Sequence, residues 1–285
     1  MQFPNINPEI INLYGPIGVR WYSLAYIIGF LFAAFFIKKN FKKLPSADTE
    51  SFINYNIVGM ILFARLAYVI FYDPFYYLSR PFDALKVWEG GLSFHGGLLG
   101  VILATILFIR RYNNKLKKEY STKDSPEFKA KKLYFFELMD IGSVCAPLAL
   151  AIGRFANFIN SELYGRYTAS SIGVVFPTDP LQIPRHPVQL YECAFEGVFL
   201  FCFMMFLYKK TFIGKNRGYS SFVFILCYSI GRFFLEFFKD ADSGTGFFLT
   251  YFTMGHILCL LTIAISLVFL KISFNKKQKR FNFDL

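Results

Sequence analysis

Seven apolar blocks dominate this chain, at residues 19–37, 52–72, 92–109, 133–152, 189–208, 219–238 and 247–270. Each is about as long as the roughly 20 residues a helix needs to cross a hydrocarbon core. The expected fold is therefore an all-α polytopic integral membrane protein with seven transmembrane helices, formed as a single membrane domain over 1–285. A hydrophobic content of 55% and a mean hydropathy of +0.40 agree with this. No internal repeat is visible.

A formal net charge of +12 would suit a nucleic-acid binder, but the placement of the charge says otherwise. The basic clusters lie at Lys38 to Lys43, Arg110 to Lys132, Lys209 to Arg217 and Lys271 to Arg280, after the first, third, fifth and seventh blocks. Basic residues accumulate on the cytoplasmic side of membrane proteins, so these positions predict an N-out, C-in topology and no nucleic-acid partner. The stretch 113–132 is read as a solvated loop too charged to pack. The Pro-, Gly- and aromatic-rich segments 73–91 and 153–188 are read as an outer interfacial arm and a small outer cap. No cleavable signal precedes the first block, so the chain is read as starting at Met1. The five cysteines all fall in apolar blocks, which predicts neither disulfides nor a cysteine metal site.

Polar residues inside the blocks are the functional signal, because ionisable groups at membrane depth are costly and usually have a role. With the topology above, Tyr22, Arg65, His95, Arg154, Asn157, Glu192, Glu196, Arg232 and Glu236 come from six spans and all lie toward the outer side. Tyr228, Arg232 and Glu236 recur at i, i+4 and i+8 on one helix face. That face is either part of a site or a structural Arg–Glu pair. Gly96 and Gly100 form a small-xxx-small face suited to helix packing. His95, beside them, is either functional or bonded to a neighbouring carbonyl. His256, Glu137 and Asp140 are read as structural.

The residues Gly153-Arg154-Phe155-Ala156-Asn157-Phe158-Ile159-Asn160-Ser161-Glu162-Leu163-Tyr164-Gly165 resemble the signature of prolipoprotein diacylglyceryl transferases. Four further stretches are similar to that family and in its order. They are Trp21-Tyr22, Phe94-His95-Gly96-Gly97, Arg185-His186-Pro187 with Gln189-Leu190-Tyr191-Glu192, and Gly231-Arg232 with Glu236-Phe237-Phe238. Val188 and the long segment 113–132 depart from the family pattern without touching a charged residue.

The resemblance implies transfer of a diacylglyceryl group from phosphatidylglycerol to the lipobox cysteine of a prolipoprotein signal peptide, giving a thioether and glycerol 1-phosphate. It implies a bacterial cytoplasmic (inner) membrane location with the site toward the outer leaflet, membrane lipid as surroundings, and no cofactor or metal. Arg154 and Arg232 would grip the departing phosphate in bidentate fashion. His95 would take the thiol proton, against a deficit of about 2.7 kcal/mol between a thiol near 8.5 and an imidazole near 6.5, or else orient the headgroup. Glu162 and Glu236 would hold the arginines and the cap. Tyr22, Asn157 and Asn160 would bond phosphate or glycerol oxygens, and Gly165 would permit a tight turn. Arg65, Gly96, Gly97 and Tyr228 complete the expected substrate-binding set.

Two other functions are weighed against this one. A lipid or phosphate transporter would need polar groups along a complete path, and the inner half offers little beyond Glu137 and Asp140. An intramembrane serine protease built on Ser93 and His95 fails because residues two apart on a helix point away from each other. Zinc catalysis lacks a ligand set.

Overall fold

The computed structural model describes residues 1–4, 6–14, 17–120, 125–240 and 252–275. Seven helical segments are long and apolar enough to cross a membrane, one for each expected block: Trp21–Asn40, Ser46–Phe71, Phe94–Glu119, Pro126–Ile159, Val188–Lys210, Tyr219–Phe238 and Met254–Ser273. The protein is a multi-pass membrane protein, and side chains such as Leu31, Phe35, Leu62 and Leu261 stay exposed on these spans, as lipid-facing positions should. Residues 247–251 of the last expected block lie outside the described residues. The chain divides into two compact units, one made of Met1–Leu13, Gly18–Gly29 and Met139–Phe281, the other of Tyr14–Ile17, Phe30–Leu138 and Asn282–Leu285.

The second unit is built on α2 (Ser46–Phe71) and α4 (Phe94–Glu119), which pack along much of their length. A Cβ on Gly96 would lie 2.4 Å from Phe63 O, and one on Gly100 2.2 Å from Gly59 O. The small-residue face is thus used for backbone-to-backbone packing, as expected. Between the two helices runs the arm, with α3 (Pro74–Ser79) and 3-10 turns at Pro81–Leu85 and Val87–Glu89. Its Phe75 and Phe82 are 83% and 81% exposed.

The reading of 113–132 as a solvated loop is overturned. α4 continues to Glu119 and buries Tyr112, Asn113 and Leu116. The Asn113 amide donates to Leu133 O and accepts from Leu133 N, both at 3.0 Å. The short α5 (Pro126–Lys131) buries Phe128. Within 113–132 three apolar or amide anchors, Asn113, Leu116 and Phe128, pack the described parts of the segment, and average composition hides them. Glu137 pairs with Lys43 at 3.0 Å and accepts from Tyr134 N, a structural role as expected.

The first unit carries α6 (Phe135–Ile159), α7 (Val188–Glu192) running through a π-helical segment Cys193–Phe199 into α8 (Leu200–Lys210), then α9 (Tyr219–Leu235) and α10 (Met254–Asn275). Asp140 caps α9: its carboxylate accepts from Gly218 N, Ser221 N and Ser221 Oγ at 2.6 to 2.8 Å, which satisfies donors a helix start leaves open. A hairpin, β1 (Glu9–Tyr14) with β2 (Ile17–Arg20), precedes α1 (Trp21–Asn40). In the cap, β3 (Val174–Val175) pairs antiparallel with β4 (Pro184–Arg185). Phe158, Val174 and Phe176 form the cap's core, with Phe3, Tyr164 and Leu190 against it.

α6 runs seven residues beyond the expected end of its block, so Arg154 and Asn157 sit within the helix. Charge ends a hydropathy block but need not end a helix whose polar side chains find partners.

Candidate active site

Two close approaches in the first unit bring its charges together. A Cβ on Gly197 would lie 2.5 Å from Ala151 Cα, so the π-helical segment rests directly on α6 one turn before Arg154. A Cβ on Gly231 would lie 2.4 Å from the Phe195 ring, so α9 closes on the same segment beside Arg232. π-helical turns recur at functional sites. Here the turn carries Glu196, and Glu192 ends the helix that leads into it.

The result is two guanidinium groups set among three carboxylates. Arg154 Nε is 3.3 Å from Glu192 Oε2 and its Nη2 3.5 Å from Glu196 Oε2. Arg232 Nη1 donates to Glu192 Oε1 and stands 3.7 Å from Glu196 Oε1, while Nη2 is 3.1 Å from Glu236 Oε2. Glu192 therefore bridges the two arginines. All three carboxylates are buried, whereas Arg154 and Arg232 keep 19% and 16% of their side chains accessible. Arg154 is ion-paired but makes no hydrogen bond among the described residues, and its Nε is buried without one. The Tyr228 hydroxyl, within electrostatic reach of Arg154, Arg232 and Glu196, also has no hydrogen-bond partner among them.

Glu236 does hold Arg232, as expected. Glu162 differs, because it meets no arginine among the described residues. Its Oε1 instead accepts from Tyr22 OH at 2.6 Å, Asn157 Nδ2 at 3.0 Å and Asn160 Nδ2 at 3.3 Å. Its backbone carbonyl accepts from Gln189 Nε2 at 2.6 Å. Ser161 and Leu163, on either side of it, have φ of 55° and 57°. Left-handed backbone at a bulky leucine is strained and persists only where surroundings enforce it, often at functional sites.

Gly165 is not a turn glycine. Its Cβ would lie 2.3 Å from Phe238 O and 2.4 Å from Val188 Cγ2, so close approach, not a left-handed φ, excludes a side chain there. Gly165 N donates to His186 O and Arg166 N to Phe238 O, tying the cap to the end of α9. Arg185 fastens it further, with Nε 2.8 Å from Asp179 Oδ2 and Nη1 2.8 Å from Asp240 Oδ2. The Arg185 bond holds the Asp179 carboxyl below its ordinary range, and Asp179 in turn raises Arg185. Burial lowers His186.

In the second unit, Arg65 is buried and all three of its nitrogens donate hydrogen bonds. Nε donates to Ala84 O at 2.9 Å, Nη1 to Gly90 O and Gly91 O at 2.7 and 3.2 Å, and Nη2 to Asp83 O at 2.6 Å. Tyr77 covers it at 5.2 Å. Gly96 and Gly97 are buried against α2, where Gly97 faces Met60 and Ala64. His95 is exposed in the first turn of α4 and bonds no carbonyl among the described residues.

Glu192 and Glu196 are the residues that sequence reasoning placed at the right level yet gave no role. Their spacing beside the Gln189-Leu190-Tyr191-Glu192 stretch was the available signal, since two carboxylates in an apolar block need cations to meet them.

A family profile described as prolipoprotein diacylglyceryl transferase matches residues 8–272. Over 264 residues, the chain is 43% identical to the phosphatidylglycerol–prolipoprotein diacylglyceryl transferase of Rickettsia bellii (strain OSU 85-389), covering 91% of this chain and 92% of the relative. The proteins of the same name from Rickettsia felis and Rickettsia typhi are 43% and 40% identical, each covering 90% of this chain and 93% of the relative.

Proposed function

The chain belongs to the prolipoprotein diacylglyceryl transferase family and is an enzyme with phosphatidylglycerol and prolipoprotein as substrates, and from that premise we propose how its residues carry the transfer. The sulfur of the lipobox cysteine attacks the glycerol carbon that bears the phosphate. A C–S bond forms, the C–O bond breaks, and glycerol 1-phosphate leaves with the bonding electrons. The thiol proton passes to His95 where that residue acts as base, or to solvent water where His95 orients the headgroup instead.

The observation that supports this reading is the state of the two arginines: both are ion-paired with carboxylates and partly accessible, and Arg154 makes no hydrogen bond among the described residues. A phosphodiester bears one negative charge and the departing monoester develops a second. Guanidinium groups already tempered by Glu192, Glu196 and Glu236 gain more from the doubly charged leaving group than from the ground-state diester. Catalysis depends on that differential, not on tight binding of substrate. The Tyr228 hydroxyl is a further donor to the phosphate. Tyr22, Asn157 and Asn160 are organised by Glu162 and bond glycerol or phosphate oxygens when substrate draws them from it. In this reading Gly165 keeps the cap close, Arg65 sets the arm, and Gly96 and Gly97 set the start of α4 that presents His95.

We read the basic segments as cytoplasmic, which supports an N-out, C-in orientation in a bacterial cytoplasmic membrane with the site toward the outer leaflet. There it meets lipid and an emerging signal peptide from the side. A transporter is not favoured, since the named relatives are transferases. The test is to incubate purified protein with phosphatidylglycerol and a lipobox peptide and to look for the thioether adduct and glycerol 1-phosphate by mass spectrometry. Adduct from the wild type supports the reading, and a peptide that is cleaved or unchanged overturns it.

A further inference from the structure

We propose that the first turn of α10, Thr253 to His256, is a positioning device for Glu236 and, through it, for the Arg232 guanidinium; this rests on the reading of Arg232 as a phosphate-gripping residue.

The geometry departs from an ordinary helix start in an informative way. In a capping box the side chain three residues into the helix accepts from the N-cap backbone N–H, while the N-cap hydroxyl accepts from the backbone N–H three residues on. Here the first half is present, with His256 in the place usually held by Glu or Gln: Thr253 N donates to His256 Nδ1 at 3.0 Å. The second half is missing. His256 N bonds Thr253 O at 3.1 Å, and the Thr253 hydroxyl is turned away to donate to Glu236 Oε1 at 2.8 Å.

Histidine fixes the direction of that proton. Nδ1 already accepts from Thr253 N, so Nε2 carries the ring proton. The Thr253 oxygen also lies 3.2 Å from Nδ1, but the Nδ1 lone pair is engaged, which leaves the hydroxyl proton to Glu236. The imidazole is fully buried among Phe233, Phe237 and Phe252, with ring centroids 5.1, 4.4 and 5.1 Å away, and its Nε2 has no hydrogen-bond partner among the described residues. It cannot rotate out of its tautomer by bonding elsewhere.

The carboxylate sits flush on the helix end. A Cβ on Gly255 would lie 2.4 Å from Glu236 Oε1 and 2.6 Å from Cδ, so any side chain there would push it away. The positive end of α10 favours the negative group at that position. With Oε1 pinned by Thr253, Oε2 is left facing Arg232 Nη2 at 3.1 Å. Thr253 and His256 are positioning residues, because they act through Glu236 and Arg232 and not on substrate.

The test measures transfer from phosphatidylglycerol nanodiscs to a lipobox peptide for Thr253→Val, Thr253→Ser, His256→Gln and Gly255→Ala, each in wild-type and Glu236→Gln backgrounds. Thr253→Val should lower kcat at least roughly tenfold, the effect of one hydrogen bond to a charged group, with the peptide KM unchanged. Thr253→Ser should recover the rate, and so should His256→Gln, which keeps an acceptor for Thr253 N. In the Glu236→Gln background, Thr253→Val and Gly255→Ala should cause no further loss. Wild-type turnover in Thr253→Val, or an equal loss with and without Glu236, overturns the proposal while leaving the transferase reading intact. If Thr253→Val fails to fold, Gly255→Ala decides by the same criterion. A wild type that forms no thioether removes the underlying reading and this inference with it.

Discussion

Two sets of buried arginines in this chain are held in opposite ways. Among the described residues Arg65 meets no carboxylate, and its bonds go to four backbone carbonyls of the arm. Arg154 and Arg232 are balanced by three carboxylates, and Arg154 makes no hydrogen bond at all among the described residues. A guanidinium whose three nitrogens all donate to backbone carbonyls is a strut. One whose charge is balanced but whose donors are open can accept an anionic ligand without first breaking the structure. Burial alone does not separate the two cases; the nature of the partners does.

The largest expected effect comes from the carboxylate shared by both arginines. Replacing Glu192 by Gln removes the bridge and leaves buried cations undercompensated, which should cost about 3 to 5 kcal/mol of stability. Thermal unfolding in detergent checks it, and a change under about 1 kcal/mol would mean the cluster is not held together by that bridge.

Next come Arg154→Lys and Arg232→Lys. Each keeps charge and loses the planar fork, so each should retain the fold and lose about 10- to 100-fold in transfer rate, equivalent to about 1.5 to 3 kcal/mol. Near-normal rates in both would erase the contrast with Arg65.

Arg65→Met should behave in the reverse manner. It strands four carbonyls and loosens the arm, with a stability loss of about 1 to 3 kcal/mol and faster hydrogen exchange over 73–91. If transfer falls while exchange and stability are unchanged, Arg65 belongs with the phosphate-binding arginines after all.

The smallest effect concerns Arg185, a strut that does use carboxylates. Its bond depresses Asp179 in the folded state, so this contribution is full above the unfolded aspartate value of about 3.9 and is lost as pH falls through the lower folded value. Limited proteolysis of the cap should therefore accelerate only below about pH 4, and Asp179→Asn should remove that dependence.

The fold was legible because apolar length is a property of contiguous sequence. All seven spans were readable for that reason, and so were the packing glycines of α4. The extension of α4 through Leu116 was not, because three anchors at Tyr112, Asn113 and Leu116 are masked by the lysines around them. The site was legible as a set of residue types. Its pairing was not, since Glu162 bonding Tyr22 and Glu192 bridging Arg154 and Arg232 depend on helix phase set by a π-helical turn and two glycine contacts. His256 looked structural for want of a neighbour, and its connection to Glu236 runs through Thr253, which only the fold brings near.

The arm's attachment to a single planar group governs how it can come loose. Its acceptors at residues 83, 84, 90 and 91 all receive from one rigid planar donor, so tilting the guanidinium to release one of them misaligns the others. Loss of one of these four bonds therefore weakens the other three. Phe75, Leu78 and Phe82 are exposed on the same segment, so one planar group inside anchors an arm whose outer face is apolar.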